Sequence, residues 1–109
     1  MKITVDQEGT SRLLRLHGRI VLGESADLLK RVLSEALLER TCEGVIIDLT
    51  GVDYVDSTGL GELIGNLTLF KDAGKRLALR NPAPRIMVLI RLARLDSFFP
   101  IETTAPAAR

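Results

Sequence analysis

The run Val45-Ile46-Ile47-Asp48-Leu49-Thr50-Gly51-Val52-Asp53-Tyr54-Val55-Asp56-Ser57-Thr58-Gly59-Leu60-Gly61 decides how this chain folds. Its first five residues form a nearly unbroken apolar stretch rich in β-branched side chains. That is the mark of a strand central in a sheet or covered on both faces. A connection over residues 50–56 is expected next. From Ser57 the period changes, because Leu60, Leu63, Ile64, Leu67 and Phe70 recur on one face at helical spacing, and Gly74 supplies a stop. A buried strand, a connection and an amphipathic helix make half of a parallel crossover unit, so the chain reads as α/β.

Upstream, Ile3 and Val5 alternate with polar neighbours, Glu8-Gly9-Thr10-Ser11 reads as a turn, and Leu14 and Leu16 resume the alternation. These residues predict an antiparallel hairpin. A helix is then expected from Ser25, its N-cap, to about residue 40, on the apolar pairs Leu28/Leu29, Val32/Leu33 and Ala36/Leu37, with Asp27 at the positive end of the dipole. Downstream, Leu77-Ala78-Leu79 predicts a strand ended by Asn81-Pro82. Ile86, Leu89, Ile90 and Ala93 are the expected inward stripe of another helix, and Ile101 sits in a short last strand. The expected architecture is a mixed β-sheet of four to five strands with about three to four helices packed on it, the crossovers right-handed. The domain is expected over residues 1–102, with residues 103–109 a frayed tail.

The chain has 109 residues, 46% hydrophobic and 27% charged, enough to bury one core and too little for two domains around a cleft. No apolar run approaches the ~18 residues of a membrane span, and the N-terminal residues lack the apolar segment of a secretory signal. A cytoplasmic protein without membrane insertion is expected. Cys42 is the only cysteine and His17 the only histidine, so an intrachain disulfide and a Cys/His zinc cluster are both excluded. Cys42 reads as an ordinary small residue near a helix end. A Ser-His-Asp triad would need His17 as its base, yet His17 lies in a strand-like alternation and reads as structural.

The chemistry concentrates in Asp56-Ser57-Thr58-Gly59-Leu60-Gly61, where free backbone amides and the helix dipole receive negative charge. Ser57 is the expected N-cap. Three glycines, Gly59, Gly61 and Gly65, fall within one helix, and each costs roughly 0.5–1 kcal/mol against alanine there. Close approach by the sheet or by a partner would offset that cost, and Gly61 and Gly65 share a face onto which another molecule could dock. Enzymatic alternatives fail on spacing. An aspartic protease motif places Gly two after Asp, whereas Gly59 is three after Asp56. A nucleophile elbow needs Gly two before the serine, where Val55 stands. The glycines of the 59–65 segment lie inside the helix and not in a strand-helix turn, which excludes a dinucleotide fingerprint. No cofactor is expected.

With these residues in view, the chain resembles the STAS domain of bacterial anti-sigma factor antagonists. The likeness is carried by the strand 45–49, by Val52-Asp53-Tyr54-Val55-Asp56-Ser57-Thr58-Gly59-Leu60-Gly61 and by Gly74-Lys75-Arg76-Leu77-Ala78-Leu79, and it covers nearly the whole chain. The resemblance implies a regulatory binding protein and not an enzyme. It implies phosphorylation on Ser57, with Thr58 the secondary acceptor, by a partner serine kinase that is also the anti-sigma factor, and reversal by a serine phosphatase. The unphosphorylated form would hold that partner and free a sigma factor. Asp56, Ser57, Thr58, Gly59, Leu60, Gly61, Glu62 and Gly65 are the implied partner-binding residues. An unphosphorylated accessory subunit of a lipid-transport or transporter complex is the alternative within the same resemblance. Where many family members look like Gly-Glu-Leu/Ile-Asp, this chain has Gly18-Arg19-Ile20-Val21, so a basic residue replaces one acid and Val21 the other.

The formal net charge of +1 conceals an uneven distribution. Residues 1–70 hold seven Lys/Arg against eleven Asp/Glu, residues 71–94 seven against one, and residues 95–109 one against two. The basic stretch lacks aromatic stacking residues, so a solvated face is expected there and no direct nucleic-acid contact. Val88, Leu92 and Leu95 add a second apolar face to the last helix, which the C-terminal tail is expected to cover. A monomer or weak dimer is expected.

Overall fold

The computed structural model describes residues 1–104. Five strands, β1 (Lys2–Glu8), β2 (Ser11–Ile20), β3 (Gly44–Val55), β4 (Arg76–Arg80) and β5 (Ile101–Glu102), form one sheet in the order β1-β2-β3-β4-β5. β1 and β2 pair antiparallel, and each later neighbour pairs parallel. The helices α1 (Glu24–Leu38), α2 (Ser57–Asp72) and α3 (Pro84–Leu92) make the three crossovers, and a 3-10 turn, Leu95–Ser97, follows α3. The mixed sheet and the helix count agree with the pattern read from sequence. Among the described residues no helix is long and apolar enough to cross a membrane.

One apolar cluster joins the sheet to all three helices. It takes Leu14, Leu16, Val45, Ile47, Leu49, Leu77 and Leu79 from the strands, Leu29 and Leu33 from α1, Leu63, Leu67 and Phe70 from α2, and Ile86 and Ile90 from α3. Strand residues of the other parity, Leu13, Ile46 and Ala78, point to the helix-free face yet are still buried. Charged residues that share that face pair in two groups: Arg15 with Asp6, and Arg80 with Glu8 at 2.6 Å and Glu102 at 2.9 Å.

Four expectations change in detail. β3 does not stop at Leu49. It runs through the expected connection to Val55, because β2 continues to pair with it (His17 with Gly51, Gly18 with Val52, Ile20 with Val55) across two register shifts. α1 begins at Glu24 with Gly23 at the cap, and Ser25 lies inside the helix, where its hydroxyl donates to the Val21 carbonyl and accepts from the Val21 amide. The helix also ends two residues early, at Leu38. On α3, Ile86 and Ile90 are buried while Leu89 and Ala93 face outward, so the inward stripe is half as wide as its apolar pattern. Val88 and Leu92 are exposed, and the tail expected to cover them lies, from residue 105, outside the described residues.

Gly74 stops α2 as expected, at a φ of 71°. The Lys75 amide bonds to the Phe70 carbonyl and the Gly74 amide to that of Lys71, a complete Schellman closure. The next side chain serves a different helix. Lys75 Nζ donates to the carbonyls of Ala36, Leu37 and Glu39 at 3.1, 2.8 and 2.7 Å, supplying the cation that the last turn of α1 lacks.

Candidate functional site

The C-terminal ends of β2 and β3 and the N-terminal end of α2 meet at Asp56. This residue, and not Ser57, is the N-cap of α2: its backbone is extended, and its Oδ1 accepts from the Gly59 amide at 2.8 Å. Ser57 is the first helical residue. The correction follows from cap chemistry, in which aspartate is as good an acceptor as serine and satisfies the third amide of the helix. The second carboxylate oxygen accepts from the Leu22 amide at 2.9 Å, and the Asp56 amide donates to the Ile20 carbonyl at 3.1 Å. Asp56 therefore ties the tip of β2 to the start of α2. The amides of Gly59 and Leu22, and less strongly that of Thr58, favour the ionised carboxylate and hold its pKa below the usual value.

Gly59 is glycine for an internal reason. It is buried, and a Cβ there would run into the Ile20 carbonyl oxygen and lie 2.8 Å from Ile20 Cγ2. Its cost within the helix is offset by the sheet, so Gly59 is not free to meet a partner. Gly61 and Gly65 differ, since both are exposed and a Cβ at either would touch nothing within 4 Å. Among the described residues no contact requires glycine at these two positions.

The remaining site residues occupy the same two turns. Ser57 is exposed, Thr58, Leu60 and Glu62 are half-buried, and Leu60 packs against the core. Asn66, which sequence reasoning missed, is buried and donates from Nδ2 to the Glu62 carbonyl at 2.8 Å. Its signal in the sequence is a polar residue one position before Leu67 in an otherwise apolar stripe. Beyond Gly65 the outer surface of α2 continues into a shallow apolar groove of about 380 Å³, lined by Ile64, Leu67, Thr68, Lys71, Leu95 and Phe98. Arg19, in the segment that departs from the family pattern, is exposed on β2 opposite Tyr54, and the Val21 backbone is held by Ser25. That segment is thus the tip of β2 that Asp56 grips.

Cys42 is buried, with Sγ 3.1 Å from the Gly44 carbonyl, and His17 is exposed in β2. Neither approaches the α2 site by strand register or by hydrogen bond. Among the described residues no group of His, Cys, Asp and Glu is arranged to hold a metal ion. What the α2 site offers is an exposed hydroxyl at a helix N-terminus, a fixed carboxylate next to it and a side-chain-free strip beyond.

Comparison with known proteins bears on the family and the fold. The family model of the STAS domain matches residues 2–108. The anti-sigma F factor antagonist of Paenibacillus polymyxa is 25% identical over 101 residues, which span 93% of this chain and 86% of that protein. An anti-sigma factor antagonist from Mycobacterium paratuberculosis is 26% identical and superposes with a TM-score of 0.76, covering 94% of this chain and 86% of its own. The Bacillus cell fate determinant SpoIIAA in its phosphorylated form shares the fold at 16% identity, with a TM-score of 0.77 and coverage of 96% and 93%. By the extent of the family match and by its fold, this chain belongs to the STAS domain family, in company with anti-sigma factor antagonists of similar length.

Proposed function

We propose that this chain is an anti-sigma factor antagonist whose binding is switched by phosphorylation of Ser57. In the unmodified state the first turns of α2 dock an anti-sigma factor that is also a serine kinase, and the sigma factor held by that kinase is freed. The kinase transfers the γ-phosphoryl group of ATP to Ser57 Oγ, ADP leaves, and the hydroxyl proton goes to a base on the kinase. A serine phosphatase hydrolyses the phosphoester with one water, which returns the hydroxyl and releases inorganic phosphate. The protein itself catalyses nothing in this cycle.

The observation that carries the reading is the contrast between Gly59 and the pair Gly61 and Gly65. The first is explained by the chain's own packing, and the other two have open space above them on the face that follows Ser57. Two unexplained glycines inside a helix are costly for folding, and a surface that must meet a partner closely gives them a purpose. Phosphate on Ser57 would place roughly −1.5 to −2 charges beside the fixed Asp56 carboxylate and three oxygens at the edge of that strip. Repulsion and bulk would then exclude the partner, while the helix dipole tolerates the charge within the domain.

Incubation with ATP and the cognate kinase, followed by mass spectrometry, tests the chemistry. Phosphate is expected on Ser57 and is expected to be lost in Ser57→Ala. In a pull-down, Ser57→Ala should retain the kinase and Ser57→Asp should release it. Equal binding by the two variants would overturn the switch. Co-purification with a membrane transport complex and no modification by any kinase would favour the accessory-subunit alternative.

A further inference from the structure

β1 is the outer strand of the sheet, and among the described residues no strand pairs with its outer edge. Six of its seven residues are exposed, including Val5 at 54%. The hairpin turn shows which backbone groups face that edge. Gly9, at a φ of 61°, and Thr10 form a two-residue turn closed by the Glu8–Ser11 pair. Such a turn makes the closing pair a hydrogen-bonded one, and the alternation along an antiparallel ladder follows from it. Glu8, Asp6, Thr4 and Lys2 therefore direct their amides and carbonyls to β2, whereas Gln7, Val5 and Ile3 direct theirs outward.

The sequence of β1, Lys2-Ile3-Thr4-Val5-Asp6-Gln7-Glu8, is complementary to itself when reversed about Val5. We propose that β1 pairs antiparallel with β1 of a second copy of this chain, about a two-fold axis at Val5, to give one continuous ten-stranded sheet. In this register Val5 faces Val5, and Ile3 faces Gln7 on either side. All three outward-facing residues of each copy fall into hydrogen-bonded pairs. Lys2 meets Glu8 of the other copy twice, at non-hydrogen-bonded positions, where side chains approach most closely. Side-chain faces agree as well. Lys2 and Glu8 both lie on the helix-free face, and Val5 lies on the helix face beside Leu14. A one-residue shift in register would set Lys2 against Gln7 and bring helix-face residues opposite residues of the other face. Arg80 keeps Glu8 ionised, since its guanidinium bonds hold the Glu8 pKa below the usual value.

The dimer would carry two α2 sites on one face of the extended sheet. The proposal stands on β1 alone and does not depend on the function assigned to Ser57. Sedimentation velocity over a concentration series tests it. The intact chain is expected to show concentration-dependent dimerisation. Val5→Pro removes an outward amide and no bond to β2, so it should be monomeric at every concentration with an unchanged circular dichroism spectrum. Lys2→Glu and Glu8→Lys should each weaken self-association roughly tenfold, by turning two attractive pairs into repulsive ones. An equal mixture of these two variants restores attraction at both contacts and should associate at least as well as the original chain, which keeps the test decisive even if Val5→Pro fails to fold. A chain that stays monomeric into the millimolar range would overturn the proposal. So would a dimer that survives the single charge reversals and is instead dissolved by Leu92→Glu on α3.

Discussion

Replacing the three glycines of α2 one at a time with alanine should separate packing from docking. At Gly59 the new methyl would meet backbone on β2, the Ile20 carbonyl oxygen, and would lie 2.8 Å from Ile20 Cγ2. Backbone cannot rotate away, so the first turn of α2 must shift from the sheet. Overpacking of this kind costs about 1–3 kcal/mol. Alanine's better helix propensity returns about 0.5–1 kcal/mol. With both effects at mid-range, the net expectation is a loss of about 1 kcal/mol, or a melting temperature lower by roughly 4–8 °C for a domain of this size.

At Gly61 and Gly65 the methyl meets nothing within 4 Å, so only the propensity term remains. Each substitution should stabilise the domain by about 0.5–1 kcal/mol. Urea titrations with a common slope would measure all three variants. Binding to the anti-sigma partner should follow a different order. Gly61→Ala and Gly65→Ala, the more stable proteins, should bind more weakly, because each methyl occupies space that the docked partner uses. If Gly59→Ala is as stable as the original, the close approach to Ile20 does not constrain the helix. If Gly61→Ala and Gly65→Ala gain stability and bind unchanged, the glycine strip is no docking surface.

Four further outcomes follow from individual contacts. Lys75→Met should lower stability by about 1–2 kcal/mol in urea titration, because three carbonyls at the end of α1 lose a charged donor. Lys75→Arg, whose guanidinium has a different reach and shape, should recover only part of that loss. Asp56→Ala should lower the melting temperature, because the Gly59 and Leu22 amides lose their acceptor. The pH dependence is tied to the same residue: the folded pKa of Asp56 lies below its ordinary 3.8, so its contribution is complete above that value and fades as pH falls from there through the lower folded value. In Asp56→Asn that part of the acid sensitivity should disappear from the stability curve measured between pH 2 and 5.

The order of elements was legible because the period of the apolar residues changes cleanly along the chain. Alternation in β1 and β2, a solid run at Val45–Leu49 and the helical recurrence from Leu60 are unambiguous. Some errors fall where a tertiary partner overrides local chemistry, and the others at helix ends, where neighbouring residues compete for the cap. Residues 50–55 look like a loop because Gly51 and Asp53 are poor strand formers, yet the second half of β2 pairs with this segment and holds it extended. Ser25 and Ser57 both look like caps, and in each case the residue before the helix takes the position. The grip of Asp56 on Leu22 joins residues 34 apart in sequence and had no local signal. Gly59 could not be told from Gly61 by sequence, since only the position of Ile20 distinguishes them.

The uneven charge of the chain gains a physical meaning from these contacts. Several cations of the basic stretch 71–94 serve the fold: Lys75 closes α1, Arg80 holds Glu8 and Glu102, and Arg76 lies 3.8 Å from Glu102. No bond found for these three groups reaches the α2 N-terminus, whose fixed charge is the Asp56 carboxylate. A phosphate on Ser57 would thus meet two opposing effects within the domain, both weakened by solvent. The helix dipole attracts it by about 0.3–1 kcal/mol, and Asp56 repels it across a solvent-exposed gap. Because the two oppose each other at an exposed site, phosphorylation is expected to leave stability within about 1 kcal/mol of the unmodified protein, and the main effect to appear in the partner's affinity. Melting curves of Ser57→Asp and of the enzymatically phosphorylated chain, set beside the partner-binding isotherm, measure both sides of that balance. A phosphoprotein that melts far below the unmodified chain would mean that the switch works by loosening α2, and exclusion at an intact surface would then be the wrong mechanism.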